Sequence, residues 1–542
     1  MTSWSPGGST LASALADALP RLCAPGAELS DELLDLIRAL ANALEAGALE
    51  LDFSGDAPEG LDPALWPEAY RQAAARSELA SGPEAPLVLS GERLRWRRWH
   101  QQLEHTLSAL VQRAREPLPQ APSAADVAAA RQRAAHAGLD ASQQQAVAAA
   151  LRHRVLLLSG GPGTGKTSTV VQLLAAVLAQ HPGLRLQLAA PTGKAATRLR
   201  EAIERGASAL APELAAPLLT APCSTLHRLL ESSGERFGRN ARHPLALDLL
   251  VVDELSMVDL PLLAALLEAL PAHSRLVLVG DPAQLPPVGP GPVLQELMRT
   301  EWLQQLGPAA VELRTTYRNA GAIAAVAAQL RRAAGQPLPA IRQQLQTLSP
   351  RDNLIWRQAP PQAPPADAIQ ALREHQQQLA TLAAALTLPS DGALEPGAAT
   401  ALLAALERCV LLTPVRQGRW GLESIHRQLL GEAAGRPLVH WPLGTPVLNQ
   451  RNLSEQGLAN GDVGVLVGAG EGRRVLFPGG RLLHPARLGP VEPALALTVH
   501  KSQGSQYGTV WLLMPPGRDW DARLLYTGLT RARDQAWLIT PG

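Results

Sequence analysis

Lysine is almost absent from this chain. Of its 49 lysine and arginine residues only 3 are lysine, and they stand at Lys166, Lys194 and Lys501. Each lies in a short motif with small residues around it: GGPGTGKT, APTGKAATRL and TVHKSQG. An arginine guanidinium is a planar fork, whereas a lysine ammonium is compact. The few positions that keep lysine are therefore predicted to be those that handle phosphate.

Other shortages restrict the class of protein. The three cysteines, Cys23, Cys223 and Cys409, are isolated, which excludes a CxxC zinc site and a disulfide framework. Aromatic residues make up 3% of the chain. No run reaches ~18 apolar residues, so no transmembrane helix is predicted. The first residues lack a basic segment followed by an apolar block. The sequence thus predicts a soluble protein of the reducing cytoplasm.

The composition predicts a protein of several domains. Apolar residues make up 46% and charged residues 18% of 542 residues, which suits about three domains of roughly 150 residues. The formal charge of +1 means that any nucleic-acid site must be a local stripe. We predict a helical, partner-binding N-terminal domain over residues 1–120, in which LRWRRWH is a candidate partner contact. Two further domains are predicted over residues 125–345, with a small hairpin insertion near 205–245, and 346–542, with an insertion near 440–490.

Apolar strands alternate with helical segments from residue 154 onward. The first set is RVLLLSG, LRLQLAA, ALDLLVVDE and SRLVLVGD, and the later set is RCVLLTP, PALALTVH, TVWLLMP and QAWLIT. This alternation predicts α/β domains with parallel sheets, covered on both faces and with their chemistry at the carboxyl ends of the strands. The glycine- and valine-rich insertion is predicted to be a small β-barrel.

A phosphate-binding loop follows the first of these strands. Its sequence fits G-x-x-x-x-G-K-[ST] and lies between an apolar strand and a helix, which is the context that this motif requires. Its backbone N–H groups and the helix N-terminus would hold phosphates, Lys166 would bridge the β- and γ-phosphates of ATP, and Thr167 would bind Mg²⁺. The predicted nucleotide-binding residues are Gly160, Gly161, Pro162, Gly163, Thr164, Gly165, Lys166, Thr167 and Ser168.

Two adjacent carboxylates end the strand DLLVVDE. Asp253 is predicted to hold Mg²⁺ together with Thr167, and Glu254 to polarise the attacking water. Paired acids at a strand end could instead cap a helix. The upstream phosphate loop favours the catalytic interpretation.

The order of further motifs resembles that of superfamily 1 helicases of the 5′→3′ branch. LDASQQQAVAAAL, VLVGDPAQLPPVG, LRTTYRN, TVHKSQGSQY and LLYTGLTRARD follow one another from about residue 140 to the end. Within that branch the chain resembles the RecD family, the alpha subunits of RecBCD (exodeoxyribonuclease V), through VVDELSMVDLPLL, VLLTPVRQGRWG and NLSEQGLANGDVG. The resemblance implies two RecA-like P-loop NTPase domains, the second with an SH3-like barrel insertion.

The resemblance also implies roles for residues outside the phosphate loop. Gln143 matches the glutamine that reads the adenine edge, and Gln284 matches the sensor that couples the γ-phosphate to DNA. Arg318 in TTYRN and Arg531 in LTRAR match two arginine fingers. Two cations that reach the γ-phosphate from the second domain would stabilise developing charge only when the cleft closes.

A translocating motor must grip DNA without reading its sequence. Contacts to phosphate and stacking on bases should dominate. The predicted DNA-binding residues, which come from the strand ends of both domains, are Thr192, Lys194, Thr225, His227, Thr498, His500, Lys501 and Gln503. The two histidines could equally be structural.

The implied function is that of an ATP-dependent 5′→3′ DNA helicase within a heterotrimer. It would act with RecB-like and RecC-like subunits on single-stranded DNA or duplex ends, in double-strand-break repair by homologous recombination and in degradation of linear DNA. This chain has no nuclease signature, so nuclease activity would belong to a partner. The alternatives are a stand-alone RecD-like helicase and an architectural subunit whose ATPase is incidental.

Overall fold

The computed structural model describes residues 10–23, 29–234, 236–317, 321–332, 337–388, 394, 397, 399–453, 456–517 and 520–542. Three regions follow one another along the chain. Each has its own core, and the second and third are built on parallel sheets.

The N-terminal region combines helices with a small antiparallel sheet. Its elements are α1 (Thr10–Cys23), α2 (Asp31–Glu45), β1 (Glu50–Asp52), α3 (Glu68–Arg76), β2 (Leu87–Ser90), β3 (Arg93–Trp96) and α4 (Arg97–Arg115). The strand order is β1-β3-β2. The sequence analysis predicted a helical domain here and did not predict this three-stranded sheet.

The LRWRRWH segment is buried in its first half and partly exposed in its second half. Arg95 and Trp96 lie on β3 and are buried. Arg95 Nε donates to Glu50 Oε2 at 2.7 Å, and the Trp96 indole donates to Leu40 O at 3.4 Å. These residues hold the N-terminal region together, so the predicted partner contact at this segment is wrong for its buried half.

The second region is an α/β domain with a six-stranded sheet. Its elements are α5 (Ala124–His136), α6 (Ala141–Arg152), β4 (Val155–Gly160), α7 (Lys166–Gln180), β5 (Leu186–Ala190), α8 (Gly193–Ala207), α9 (Pro212–Thr220), β6 (Cys223–Thr225), α10 (Leu226–Leu229), β7 (Ser232–Ser233), β8 (Arg236–Phe237), β9 (Leu249–Val252), α11 (Leu260–Ala269), β10 (Arg275–Gly280), α12 (Val293–Leu297), α13 (Thr300–Leu306) and β11 (Ala310–Leu313). All pairs in the order β11-β4-β10-β9-β5-β6 are parallel. β7 and β8 form a small hairpin within residues 205–245.

Burial explains why these strands read as continuous apolar runs. Every residue of β4, β9 and β10 is buried, because helices cover both faces of the sheet. Helix α6 begins at a capping box, in which Asp140 and Gln143 each accept a backbone N–H of the other residue. Because the strands are parallel, the carboxyl ends of β4 and β9 lie at the same edge of the sheet, where the phosphate loop and Asp253 follow them.

The third region has a five-stranded parallel sheet and a second, antiparallel sheet. Its elements are α14 (Ala322–Leu330), α15 (Pro337–Gln346), β12 (Leu354–Ala359), α16 (Ala366–Ala385), α17 (Thr400–Leu406), β13 (Cys409–Thr413), α18 (Leu422–Leu430), β14 (Pro446–Asn449), β15 (Val463–Val467), β16 (Arg474–Phe477), β17 (Arg481–Leu483), β18 (Val491–Pro493), β19 (Ala496–Thr498), β20 (Tyr507–Leu513), α19 (Ala522–Leu529) and β21 (Ala532–Pro541). The parallel order is β12-β21-β20-β13-β19. The predicted α/β class with parallel sheets is confirmed.

The insertion forms an antiparallel sheet in the order β17-β16-β15-β14-β18. It falls within the predicted residues 440–490, extended by β18, and its closure into an SH3-like barrel stays a prediction. Helices α14 and α15 pack in one core with β12, β20 and α19. The packing therefore divides the two α/β domains before Ala322, earlier than the boundary at residue 345 expected from the sequence.

Within the described ranges, none of the helices has both the length and the apolar character needed to cross a bilayer.

Candidate active site

The phosphate loop owes its shape to its glycines. Gly163 and Gly165 have φ values of +74° and +77°, a region that favours glycine. A Cβ atom on Gly165 would lie 2.4 Å from Gln143 Nε2, and one on Gly160 would lie 2.7 Å from Thr164 Oγ1. The loop therefore has no room for larger residues at these positions, and it leads directly into the N-terminus of α7, where a helix attracts anions.

Lys166 begins helix α7 and folds back over the loop. Its ammonium donates to Gly160 O at 2.7 Å and to Gly161 O at 2.9 Å. These bonds fix the cation at the mouth of the loop. Thr167 and Ser168 follow it, and all three residues line a cavity between the two α/β domains.

Two carboxylates face this lysine from the end of β9. Asp253 Oδ1 accepts the backbone N–H of Glu254 at 2.9 Å, and Glu254 has a left-handed backbone with φ +56°. Burial, with the Glu254 charge beside it, raises the pKa of Asp253 above its usual range, while Lys166 acts in the opposite direction. A buried carboxylate with too little positive charge around it suits a cation ligand. Strain at Glu254 is of the kind that clusters at functional sites.

Arg531 reaches the same place from the other domain. A cavity of about 710 Å³ between the domains is lined by the phosphate loop, by Asp253, Glu254 and Gln284, and by Arg531. Arg531 is buried, with Nε donating to Thr527 O and Nη1 to Ser505 O, each at 3.2 Å. Burial lowers the pKa of its guanidinium, and the Glu254 charge opposes this shift. The structure thus brings Arg531 and Lys166 to one cavity.

Hydrogen bonds tie the segment after β10 to the second domain. Tyr526 donates to Asp281 Oδ2 at 2.8 Å, and Leu285 N donates to Thr527 Oγ1 at 2.9 Å. Gln284, between these two points, is buried, and its amide donates to Asp281 Oδ2 at 3.3 Å. Gln284 Oε1 is buried in the cavity wall and finds no hydrogen-bond partner among the described residues. Burying an unpaired acceptor is costly, which suits a group that waits for a ligand.

Gln143 lies at the cavity but is already engaged. Its Nε2 donates to Thr164 O at 3.1 Å, and its Oε1 accepts Asp140 N at 2.9 Å. In this structure Gln143 therefore links the phosphate loop to the start of helix α6. These bonds use one of the two N–H groups and one of the two lone pairs of the amide, so a second donor and a second acceptor position remain for a ligand.

Tyr317 is a site residue that the sequence analysis missed. It is 53% exposed, lines the cavity, and its N donates to Gly163 O at 2.8 Å. Its hydroxyl donates to Asp140 Oδ2 at 2.7 Å, which holds the ring beside the loop. A signal was present, because the chain has only 4 tyrosines. Three of them, Tyr317, Tyr507 and Tyr526, contact groups at the cleft.

Arg331 is a second omission. It lies on the turn after α14, and its Nη1 would be 3.1 Å from a Cβ atom on Gly161. Its Nη2 lies 3.5 Å from Glu312 Oε1 on β11. A cation of the second domain therefore rests directly on the phosphate loop. Arg318, the first predicted arginine finger, lies outside the described residues.

The predicted DNA-binding residues of the first domain lie at the carboxyl edge of its sheet. Thr192 and Thr225 are N-caps that accept backbone N–H groups of α8 and α10. His227 is exposed and lies 6.5 Å from the Phe237 ring, measured between centroids. Lys194 Nζ is 5.3 Å from the centroid of the Tyr507 ring, a cation–π distance.

The predicted DNA-binding residues of the second α/β domain are more buried than expected. Thr498 is buried and accepts Lys501 N at 3.3 Å, and Gln503 is buried and donates to Leu285 O at 3.1 Å. Lys501 forms an ion pair with Glu492, which also pairs with Arg416 at 2.8 Å. His500 is exposed. Among these four, His500 is the residue that the structure leaves open to a ligand.

Two family models match the chain. Residues 143–290 match an AAA domain, and residues 493–539 match a UvrD-like helicase C-terminal domain. The first match contains the phosphate loop and Gln284, and the second contains Arg531. The two sides of the cavity thus fall within these two matches.

Curated relatives match over nearly the whole chain. The RecBCD enzyme subunit RecD of Mycolicibacterium smegmatis is 35% identical over 95% of this chain and 90% of its own length. The chain belongs to the RecD family. The RecD subunit of Mycobacterium tuberculosis is 36% identical over 96% of this chain and 89% of the relative. The resemblance noted in the motifs is confirmed.

More distant relatives cover less. The ATP-dependent RecD2 DNA helicase of Deinococcus radiodurans is 32% identical over 74% of this RecD-family chain and 49% of its own length. A solved structure of Pif1 helicases at forked duplex DNA covers 74% of this chain and 92% of that one, at 17% identity and a TM-score of 0.41.

Proposed function

We propose that this RecD-family chain is the ATP-dependent 5′→3′ DNA helicase subunit of a RecBCD-type heterotrimer. It would act beside RecB-like and RecC-like subunits on DNA ends, in double-strand-break repair by homologous recombination and in degradation of linear DNA. The observation that carries the proposal is the shared cavity: a phosphate loop of one domain faces Arg531 of the other. Such a cleft converts hydrolysis into domain movement.

The cavity fits a nucleoside triphosphate with Mg²⁺. Its volume of about 710 Å³ lies within the range of ligand sites. Thr167 and Asp253 offer oxygen ligands, and Asp253 is the buried carboxylate that a cation would stabilise. Mg²⁺ typically takes one or two carboxylates, with waters and phosphate oxygens completing the shell. When bound, it would neutralise charge on the transferred phosphoryl group.

The remaining roles follow from position. Lys166 would bind the terminal phosphates, Glu254 would orient the attacking water, and Arg531 would stabilise charge that develops in the transition state. Gln284 Oε1, which lacks a partner among the described residues, would accept a hydrogen bond from that water. Arg318 remains a proposed second finger. DNA would pass over the strand ends that carry Thr192, Lys194, Thr225, His227 and His500.

Tyr317 is expected to stack on the adenine ring. Base–aromatic stacking is worth about 1–3 kcal/mol, so Tyr317→Ala should weaken ATP binding by roughly 5- to 150-fold. Tyr317→Phe keeps the ring and removes only the hydroxyl bond to Asp140. It should bind ATP within a few-fold of the parent. Titration of a fluorescent ATP analogue measures both, and equal losses in the two variants would reject stacking.

Strand polarity tests the proposed function directly. The complex, with its other motor inactivated, should unwind duplexes that carry a 5′ single-stranded tail. It should leave 3′-tailed duplexes intact. The reverse preference would contradict the proposal. Unwinding by this chain without any partner would favour a stand-alone RecD-like helicase, and partner binding without unwinding would favour an architectural subunit.

A further inference from the structure

The segment that follows Gln284 is held at both of its ends. At its start, Leu285 N donates to Thr527 and Leu285 O accepts from Gln503, so it is attached to the second α/β domain. At its far end, Gly291 N donates to Gly47 O at 3.0 Å. Gly47 belongs to the N-terminal region, in the turn between α2 and β1. The stretch Pro286–Gly291, here called the bridging segment, therefore spans from the second α/β domain to the N-terminal region.

The bridging segment packs closely against Gly47. A Cβ atom on Gly47 would lie 3.3 Å from Gly289 O, 3.4 Å from Val288 O and 3.6 Å from Pro287 O. Three consecutive carbonyls of the bridging segment thus face one glycine. Gly47 also has φ +88°, which larger residues adopt at a cost.

The Gly47 turn is itself firmly placed. Leu49 is buried in the core of the first α/β domain, and its Cδ1 would be 2.9 Å from a Cβ atom on Gly291. Glu50 forms ion pairs with Arg95 and with Arg299, which follows α12. Separating the partners of a buried ion pair is strongly destabilising, because each charge is left uncompensated. The turn is therefore a fixed support for the bridging segment.

The other face of the bridging segment is open. Val288 is 82% exposed, although it is a large apolar residue. A Cβ atom on Gly289 would lie 2.0 Å from Asp259 Oδ2, and Asp259 interacts electrostatically with His227. The bridging segment thus lies between Gln503 of the second α/β domain and the neighbourhood of His227, a residue of the proposed DNA path.

We propose that the Gly47 turn is a positioning element for the bridging segment, through which the N-terminal region sets how strongly DNA stimulates ATP hydrolysis. The inference rests on the proposed function. The bridging segment follows Gln284, which lines the nucleotide cavity, and exposes Val288 on its other face. It can couple the two sites only while the side that faces Gly47 is supported. The Gly47 turn supplies that support, and a partner bound to the N-terminal region acts on the ATP site by shifting it.

Gly47→Ala tests this in the assembled complex whose other motor is inactivated. The new Cβ lies 3.3 Å from Gly289 O, so the bridging segment must shift by a few tenths of an ångström. The DNA concentration for half-maximal ATPase stimulation should then rise about fivefold or more, a typical size for coupling between sites. The KM for ATP and the DNA-independent rate should stay at their parental values. Gly60→Ala is the matched control, because Gly60 has φ +93° and no atom within 4 Å of its Cβ position. It carries a similar backbone cost without the contact.

Equal DNA stimulation in Gly47→Ala and Gly60→Ala would overturn the inference. If Gly47→Ala fails to fold, Gly47→Asn places the same Cβ with a side chain that tolerates positive φ, and the same comparison applies. A parental complex with no DNA-stimulated ATPase would instead reject the proposed function. The two failures are therefore distinguishable.

Discussion

Lys166→Gln is expected to reduce DNA-stimulated ATP hydrolysis by this subunit to background. The ammonium is held over the phosphate loop by Gly160 O and Gly161 O. Glutamine keeps polarity and most of the length but loses the charge that the terminal phosphates require. Removing one preorganised electrostatic group costs about 10²–10³-fold in turnover, and here the group also binds substrate. Turnover is measured by phosphate release from the complex with its other motor inactivated.

The control for Lys166→Gln is the same change at another lysine. Lys194 stacks on Tyr507 and does not line the cavity. Lys194→Gln should keep the basal ATPase and lose DNA affinity. Both variants should still assemble with their partner subunits, as measured by gel filtration. Undiminished turnover in Lys166→Gln would reject the assignment of the ATP site.

Arg531→Ala is expected to lower turnover by ~10³-fold or more while ATP binding is largely retained. In the proposed role, Arg531 acts on charge that develops in the transition state, so the loss should appear in kcat and leave the Kd for nucleotide almost unchanged. The change also leaves Thr527 O and Ser505 O without this donor, which costs about 1–3 kcal/mol of stability. Single-turnover hydrolysis, nucleotide titration and Tm are the measurements.

Two companions separate chemistry from folding at Arg531. Arg531→Lys keeps a charge in the cavity but loses the planar fork, so it should fold like the parent and remain strongly impaired. Arg427→Ala removes an exposed arginine from α18, and its turnover and Tm should equal those of the parent. A mere few-fold loss of turnover in a folded Arg531→Ala protein would contradict its role as an arginine finger.

Local sequence predicted the centre of each parallel sheet and missed three of the four edge strands; the fourth, β19, is fully buried. The eight apolar runs correspond to β4, β5, β9, β10, β13, β19, β20 and β21. The strands that were missed, β6, β11 and β12, are edge strands. An edge strand is partly exposed, as in the mixed burial of β12, so its residues need not form a continuous apolar run. Pattern alone therefore finds strands in proportion to their burial.

The site residues also divide into those that local motifs predict and those that only the folded structure brings together. The phosphate loop and the carboxylates that follow β9 are local motifs and were readable. The ion pair of Lys501 with Glu492, the burial of Arg95 against Glu50 and the approach of Arg331 to Gly161 join residues that are distant in sequence or lie in weakly patterned segments. Spacing along the chain carries no record of such pairs. The scarcity of tyrosine was the one compositional clue to Tyr317 that went unused.

The placement of the antiparallel sheet has a mechanical consequence. Ala494 and Leu495 alone separate β18 from β19, and Glu492 on β18 grips Lys501 just beyond β19. The sheet and the segment 498–503 are thus fastened twice within a few residues, once by the backbone and once by an ion pair. Any rotation of the sheet would therefore displace Gln503, whose amide donates to Leu285 O beside Gln284. The insertion and the nucleotide cleft are joined by this short series of contacts.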